Sequence, residues 1–211
     1  AGASFQDRLV HRRTGVPPLT VDRLEVTDEG LRVFAVSDGL QQEQLIAWDR
    51  VARVDPARGG TYESGLQEHL ELGEMLWRGR TRLLRGDARL ARGEFQQAWD
   101  SLKHEYSQTA ALAAEGLIRS ALARRRQFEA IVPALAVAEL KANGFSTDRF
   151  KGMTPILDVK TGLVPALPPV LEASRAAQAA EMIDAWKQGS QTQENIRAEL
   201  IRDLLLRKAP A

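Results

Sequence analysis

The hydrophobic and polar positions of this chain follow two different periods, one before and one after a proline- and glycine-containing stretch at residues 56–60. Before this stretch, short runs rich in strand-forming residues are separated by turn sequences and predict β-strands. In one of these runs, Leu31, Val33 and Ala35 alternate with Arg32, Phe34 and Val36. After it, apolar residues recur every three to four positions, which predicts amphipathic helices. The pattern therefore predicts a small β module followed by a helical region.

The first helical segment carries its apolar residues on roughly one stripe and its charges on the other side. Ser64 and Gln67 have the spacing of a capping box, which predicts that a helix starts there. The stripe consists of Leu66, Leu70, Gly73, Trp77 and Leu84. Glutamates occupy the first half of the polar side and arginines the second half, an order that complements the helix dipole.

Part of the helical region is repeated. The phrase that runs from Gly86 to Trp99 is echoed 33 residues later by the segment from Arg119 to Ala130. A period of 33 to 34 residues is typical of stacked helical hairpins, in which each unit needs its neighbour to bury its apolar face. Because such arrays usually serve as binding scaffolds, the repeat favours a binding function over an enzymatic one.

These residues resemble divergent tetratricopeptide repeats. The resemblance places Gly86 at the glycine of the first helix, where it allows close helix packing, and Gly93 and Phe95 at the turn and the early second helix. It places Ala98 at the small position where the two helices cross, and Leu102 where the family has an aromatic residue. The resemblance implies a stack of helical hairpins that binds a partner.

The second repeat unit departs from the family pattern. Arginine and isoleucine stand where the family has glycine and alanine, at Arg119, Arg126 and Ile131. Pro133 would kink the second helix of this unit unless that helix starts late. We therefore expect a short, divergent array rather than a long regular solenoid.

The β region that precedes the helices resembles small SH3-like or Sm-like barrels through its strand pattern. Turn sequences at residues 28–30 and 37–39 separate its short strands. The expected fold class is α+β, with a small N-terminal antiparallel β barrel or sheet followed by a mainly α-helical hairpin array. The expected segments are an irregular lead-in at 1–18, the small β module at 19–57, tetratricopeptide-like hairpins at 62–143, an ordered crossover loop at 144–169 and C-terminal helices at 170–208.

Composition excludes some chemistry and leaves the rest open. The 211 residues carry a net charge of +1, so no global field recruits nucleic acid or an anionic membrane. The chain has no cysteine, which excludes disulfides and thiolate metal sites. The three histidines lack ligand spacing, and no phosphate-binding or nucleophile sequence is present. We therefore expect no catalytic residues, no metal site and no cofactor.

Two arginine clusters are the candidate binding features. One follows Trp77 along the first helix and its turn, and the other is the run at residues 124–126. The residues expected to bind a partner are Trp77, Arg78, Arg82 and Arg85. We expect a non-catalytic protein–protein interaction or assembly module of a bacterial protein, whose helical face binds an acidic or extended segment. The alternative is a nucleic-acid-binding protein that uses the arginine-rich helix and the β module.

The chain start bears on the compartment. It begins with the small residues Ala1, Gly2, Ala3 and Ser4 and has no initiator methionine. Small residues often follow a cleaved secretory signal, so the sequence favours a periplasmic or secreted protein over a cytoplasmic one. A trimmed chain would have the same start. No apolar run approaches the roughly 18 residues of a spanning helix, so no membrane span is expected. The identity of the partner and the oligomeric state stay open.

Overall fold

A computed structural model describes residues 6–37, 40–56 and 65–155 of the chain. The predicted helix-capping Ser64, most of the predicted crossover loop and the predicted helices at 170–208 lie outside the described residues. The chain divides into two compact units, Ala1–Arg78 and Gly79–Ala211. Antiparallel sheets precede four α-helices within the described residues, which confirms the α+β class.

The first unit contains six short strands in its described residues. They are β1 (Asp7–His11), β2 (Leu19–Val21), β3 (Arg23–Thr27), β4 (Gly30–Ser37), β5 (Leu40–Ile46) and β6 (Val51–Asp55). One antiparallel sheet has the order β2-β1-β6 and the other the order β3-β4-β5. A single residue, Asp22, separates β2 from β3, so the chain passes directly from one sheet to the other. In the described residues these sheets are not closed into a barrel, and of the two expected forms the sheet is confirmed.

The predicted turn at Asp28 and Glu29 is confirmed, since β3 ends at Thr27 and β4 begins at Gly30. The Thr27 Oγ1 accepts a hydrogen bond from the Gly30 N–H at 3.2 Å and donates one to its carbonyl at 2.7 Å. A Cβ at residue 30 would lie closer than 3.0 Å to the Ile46 carbonyl. The turn therefore needs glycine because the neighbouring strand passes so close.

The expectation of an irregular lead-in at 1–18 was wrong for residues 7–11, which form β1. Leu9 at its centre is completely buried and lies opposite Leu19 on β2 and Val54 on β6. The sequence of β1, Asp-Arg-Leu-Val-His, does not alternate apolar and polar residues, so its periodicity does not predict a strand. Pairing with the nearby β2 and the distant β6 makes it one.

The two sheets and the start of the first helix, α1 (Leu66–Leu84), share one hydrophobic core. Leu66 and Leu70 belong to the same buried cluster as the strand residues. A Cβ at Gly73 would lie closer than 3.0 Å to the backbone carbonyl of Trp48, so the helix packs directly on the chain there. The Trp48 indole is completely buried, and its Nε1 donates a hydrogen bond to the Thr27 carbonyl at 2.9 Å.

The second unit is helical in its described residues. After the end of α1 it contains α2 (Ala88–Leu102), α3 (Gln108–Ala123) and α4 (Ile131–Ala142), with a short 3-10 helix, Gln127–Ala130, before α4. Asp87 and Ser107 cap α2 and α3 by accepting hydrogen bonds from the Leu90 and Ala110 N–H groups. Because α4 begins at Ile131, Pro133 lies in its first turn, where a missing N–H costs little. Of the two alternatives that Pro133 left open, a kink or a late start, the helix has the late start.

Successive helices form antiparallel hairpins around one buried ring. The Phe95 ring of α2 contacts Gly79 of α1 and Gly116 of α3, and each contact joins residues at similar distances from the intervening turn. A Cβ at Gly79 would lie 2.9 Å from the ring. The close-packing role that the family resemblance gave to Gly86 was wrong. Gly86 lies in the turn after α1 with φ of 83°, and a Cβ there would meet nothing within 4 Å.

We predict that Gly116→Ala lowers the free energy of unfolding by about 1–3 kcal/mol, because the added methyl overlaps a ring that is itself completely buried. Gly93→Ala is the matched control, since a Cβ there meets nothing within 4 Å. That variant is expected to gain about 0.5–1 kcal/mol from helix propensity. Urea unfolding measures both, and equal stabilisation of the two variants would contradict the packing described here.

Candidate functional site

Trp77, the predicted aromatic contact, lies in the first unit beside a half-buried arginine. The guanidinium carbon of Arg12 is 5.8 Å from the centroid of the Trp77 ring, and Arg12 Nη2 donates a hydrogen bond to the Leu70 carbonyl at 3.2 Å. Burial lowers the pKa of Arg12, and the negative charges of Glu74 and Asp49 oppose that effect. Trp77 therefore has an internal partner and is itself only partly exposed.

The three predicted arginines differ in how their charges are used. Arg78 forms an ion pair with Glu74 one helical turn earlier. In the second unit, Arg82 Nη1 lies 2.6 Å from Glu94 Oε1, and this carboxylate is only 12% exposed. Arg85 follows the last residue of α1, is exposed, and its guanidinium has no ion-pair partner among the described residues. Of the three, Arg85 is therefore the one whose charge is available.

Both arginine clusters of the sequence contribute to one end of the second unit. Arg92 of α2 and Arg124 at the end of α3 each lie 3.0 Å from the same carboxylate oxygen of Glu129. This shared ion pair ties the first turns of α2 to the turn after α3. The sequence analysis identified the arginines but not Glu129, and no local signal marks a glutamate as the residue that joins two clusters.

The sequence analysis also missed a buried ion pair on α3. Glu115 and Arg119 are one helical turn apart, and their side chains are 8% and 9% exposed, respectively. Arg119 Nε donates to Glu115 Oε1 at 2.8 Å, and Arg119 Nη2 lies 2.7 Å from the same oxygen. The i,i+4 spacing of acid and base was visible in the sequence, but such pairs are usually solvated. Only the burial of the whole helix distinguishes this pair.

Arg119 links this pair to the segment that follows α4. Its Nη1 donates a hydrogen bond to the Thr154 carbonyl at 2.9 Å, and its guanidinium lies 4.7 Å from the centre of the Phe150 ring. Phe150 is buried, and its ring centroid lies 6.1 Å from that of Phe95. Burial raises the pKa of Glu115, and the hydrogen bond and charge of Arg119 oppose that effect. These contacts hold the start of the predicted crossover loop on the helices.

The described part of the chain offers little for metal chemistry. No group of three or more histidine, cysteine, aspartate or glutamate side chains within it has the geometry of a metal site. His69 packs on Trp48 with ring centroids 4.8 Å apart, and its Nδ1 lies 2.8 Å from the Gly65 carbonyl oxygen. This histidine therefore has a packing role.

Comparisons with known proteins give no family. No family model matches the chain. No curated protein and no solved structure matches it either. Within the described residues, no helix combines the length and the apolar character that crossing a membrane requires.

We predict that the stability of the wild type and of Glu115→Gln depends differently on pH. Because burial raises the pKa of Glu115, the folded state binds this proton more tightly than the unfolded chain does. The resulting contribution is complete below the ordinary pKa of 4.5 and is lost as the pH rises through the folded-state value. The free energy of unfolding of the wild type, minus that of Glu115→Gln, should therefore decrease as the pH rises from about 4 to about 7.

Urea unfolding across this pH range measures the difference. The glutamine amide oxygen still accepts a hydrogen bond from Arg119, so the packing of the site is retained. Glu68→Gln, at an exposed position of α1, controls for the removal of one carboxylate. A difference between the wild type and Glu115→Gln that stays constant with pH would contradict the effect of burial.

Proposed function

We propose that this chain is a non-catalytic protein–protein interaction or assembly module that binds its partner through a helical face. The observation that carries the proposal is the hairpin packing around Phe95, in which glycines on two neighbouring helices admit one ring. Helices stacked in this way leave an extended surface that a partner can contact. Arrays of this kind are usually binding scaffolds rather than enzymes.

We also propose that the helical unit belongs with divergent tetratricopeptide-like repeats. Small and aromatic residues meet at the helix crossings, where Phe95 contacts Gly79 and Gly116 and where Ala91 and Ala98 are completely buried. The second hairpin of the proposed array consists of α3 and α4. Its late start at Ile131 accounts for Pro133 without a kink in the helix.

For the β module, the proposed relationship is to SH3-like small barrels. It is supported by the strand that turns from one sheet into the other at Asp22, where the Asp22 N–H donates to the Phe34 carbonyl at 2.8 Å. The first strand also pairs with the last, since Leu9 lies opposite Val54. These features bring both sheets onto one core, as in a small open barrel.

The partner-binding residues proposed are Trp77, Arg78, Arg82 and Arg85, and among the arginines Arg85 is the strongest candidate. Arg78 and Arg82 are held by Glu74 and Glu94, so an acidic partner has to compete with an internal carboxylate at both positions. Arg85 has no such competitor in the described residues. A partner with exposed carboxylates therefore gains most from Arg85.

We predict that Arg85→Glu reduces recovery of the protein partner at least about fivefold, while the melting temperature stays unchanged, because this exposed side chain supports no internal contact. Arg82→Glu is expected to destabilise the protein, because it places two carboxylates together at Glu94. Quantitative pull-down and thermal unfolding measure the two effects separately.

The double variant Arg82→Glu/Glu94→Arg is the matched control, since it restores the ion pair with its charges exchanged. It should regain most of the stability that Arg82→Glu loses. If Arg82 contacts the partner, this variant should still bind weakly; if Arg82 is only structural, binding should return with stability. Full binding by Arg85→Glu and by the exchanged pair would count against the proposed arginine face.

A further inference from the structure

One end of the second unit concentrates positive charge that the fold does not use. Between residues 82 and 94 and between 124 and 129 there are seven arginines and three carboxylates. Glu94 forms an ion pair with Arg82, and Glu129 forms ion pairs with Arg92 and Arg124. The remaining arginines are exposed and have no ion pair among the described residues: Arg85, Arg89, Arg125 and Arg126.

The shared carboxylate of Glu129 places these four arginines near one another. Arg89 lies one helical turn before Arg92, which contacts Glu129. Arg125 and Arg126 directly follow Arg124, which contacts the same oxygen. The antiparallel hairpins put the turn after α1 and the turn after α3 at the same end of the unit. We call this end the arginine end, defined by Arg85, Arg89, Arg125 and Arg126.

Two leucines flank the free arginines on the turn between α1 and α2. Leu84 is 64% exposed and Leu90 is 51% exposed, and both belong to the few large apolar side chains that the described residues leave open to solvent. Leucine beside arginine suits a ligand that carries both carboxylates and apolar side chains. A phosphate backbone gains nothing from leucine.

The backbone at Arg125 provides an independent observation. The helices α1, α3 and α4 end with the same pair of backbone hydrogen bonds. After α3, the Arg126 N–H donates to the Ala121 carbonyl and the Arg125 N–H donates to the Leu122 carbonyl. The equivalent left-handed position is glycine after α1 and after α4, at Gly86 and Gly144. After α3 it is Arg125, with φ of 57°. A non-glycine residue is strained in this conformation, so the side chain is present at a cost to stability.

We infer that the arginine end binds an acidic, leucine-containing segment of a partner protein. This inference rests on the proposed function and gives it a site and a ligand chemistry. Nucleic acid fits less well, because the exposed aromatic side chain of the described part is Tyr106, in the turn between α2 and α3 at the opposite end of the hairpins. Among the described residues, the arginine end therefore has no fully exposed aromatic side chain on which bases could stack.

Fluorescence anisotropy with a labelled peptide of glutamate and leucine residues tests this site in the full chain. Comparison probes are the same peptide with leucine replaced by serine, a duplex DNA and vesicles of anionic lipid. Wild-type protein should bind the glutamate–leucine peptide most tightly. Arg85→Gln/Arg89→Gln should weaken binding about tenfold, and Leu84→Ser/Leu90→Ser should abolish the preference for leucine.

Arg13→Gln/Arg50→Gln is the matched control, since it removes the same charge from exposed positions of the first unit. It should bind like the wild type. Arg125→Gly should separate binding from stability. It is expected to raise the melting temperature by up to about 4 °C, because it relieves a strained residue, and to weaken peptide binding about fivefold. A residue with only a structural role would not change these two quantities in opposite senses.

Other outcomes overturn the inference. Tighter binding to duplex DNA with a steep loss of affinity in salt would assign the arginine end to nucleic acid. Tighter binding to anionic vesicles would assign it to a lipid surface. Equal peptide binding by the wild type and all arginine-end variants would remove the site while leaving the proposed function standing. The proposed function fails separately, if quantitative pull-down with the wild-type protein recovers no protein partner.

Discussion

The second unit depends on one close approach, the insertion of the Phe95 ring between Gly79 and Gly116. The ring is completely buried, so a side chain on either glycine would have to displace it. Because Phe95 belongs to α2 and the glycines to α1 and α3, this single contact fixes how three successive helices pack. The same packing determines which turns come together. The arginines after α1 and after α3 share one end because the helices around Phe95 run antiparallel.

The first unit uses the same physical device at a different element. Gly73 allows α1 to lie against the carbonyl of Trp48, and the indole of Trp48 is anchored by its hydrogen bond to Thr27. Leu66 and Leu70 then complete the core beneath the sheets. The two glycines of α1 therefore have different roles. Gly73 allows close approach of the Trp48 backbone, and Gly79 allows close approach of the Phe95 ring.

The sequence predicts what depends on local pattern and misses what depends on distant partners. The order of sheet and helices and the turn at Asp28 follow from local periodicity and backbone chemistry. The strand around Leu9 was not predicted, because its residues do not alternate and because it pairs with β6, which lies far along the chain. The family resemblance points to Gly86 rather than Gly79 as the packing glycine, and the sequence marks both arginine clusters but not the glutamate that joins them. Both features depend on contacts between separate helices.

The ion pairs of this protein describe its surface charge better than its net charge does. The net charge is only +1, but the carboxylates pair with some arginines and leave others without an ion pair among the described residues. Glu115 forms an ion pair with the buried Arg119, and Glu129 forms ion pairs with two arginines. Arg85 after α1, and Arg125 and Arg126 after α3, have no ion-pair partner among the described residues. At one of them, Arg125, the backbone also adopts a conformation that glycine would adopt more easily. Helix dipoles favour part of this charge at the ends of α1 and α3. The acidic ligand that we propose would neutralise the rest and would give the strained Arg125 a binding role.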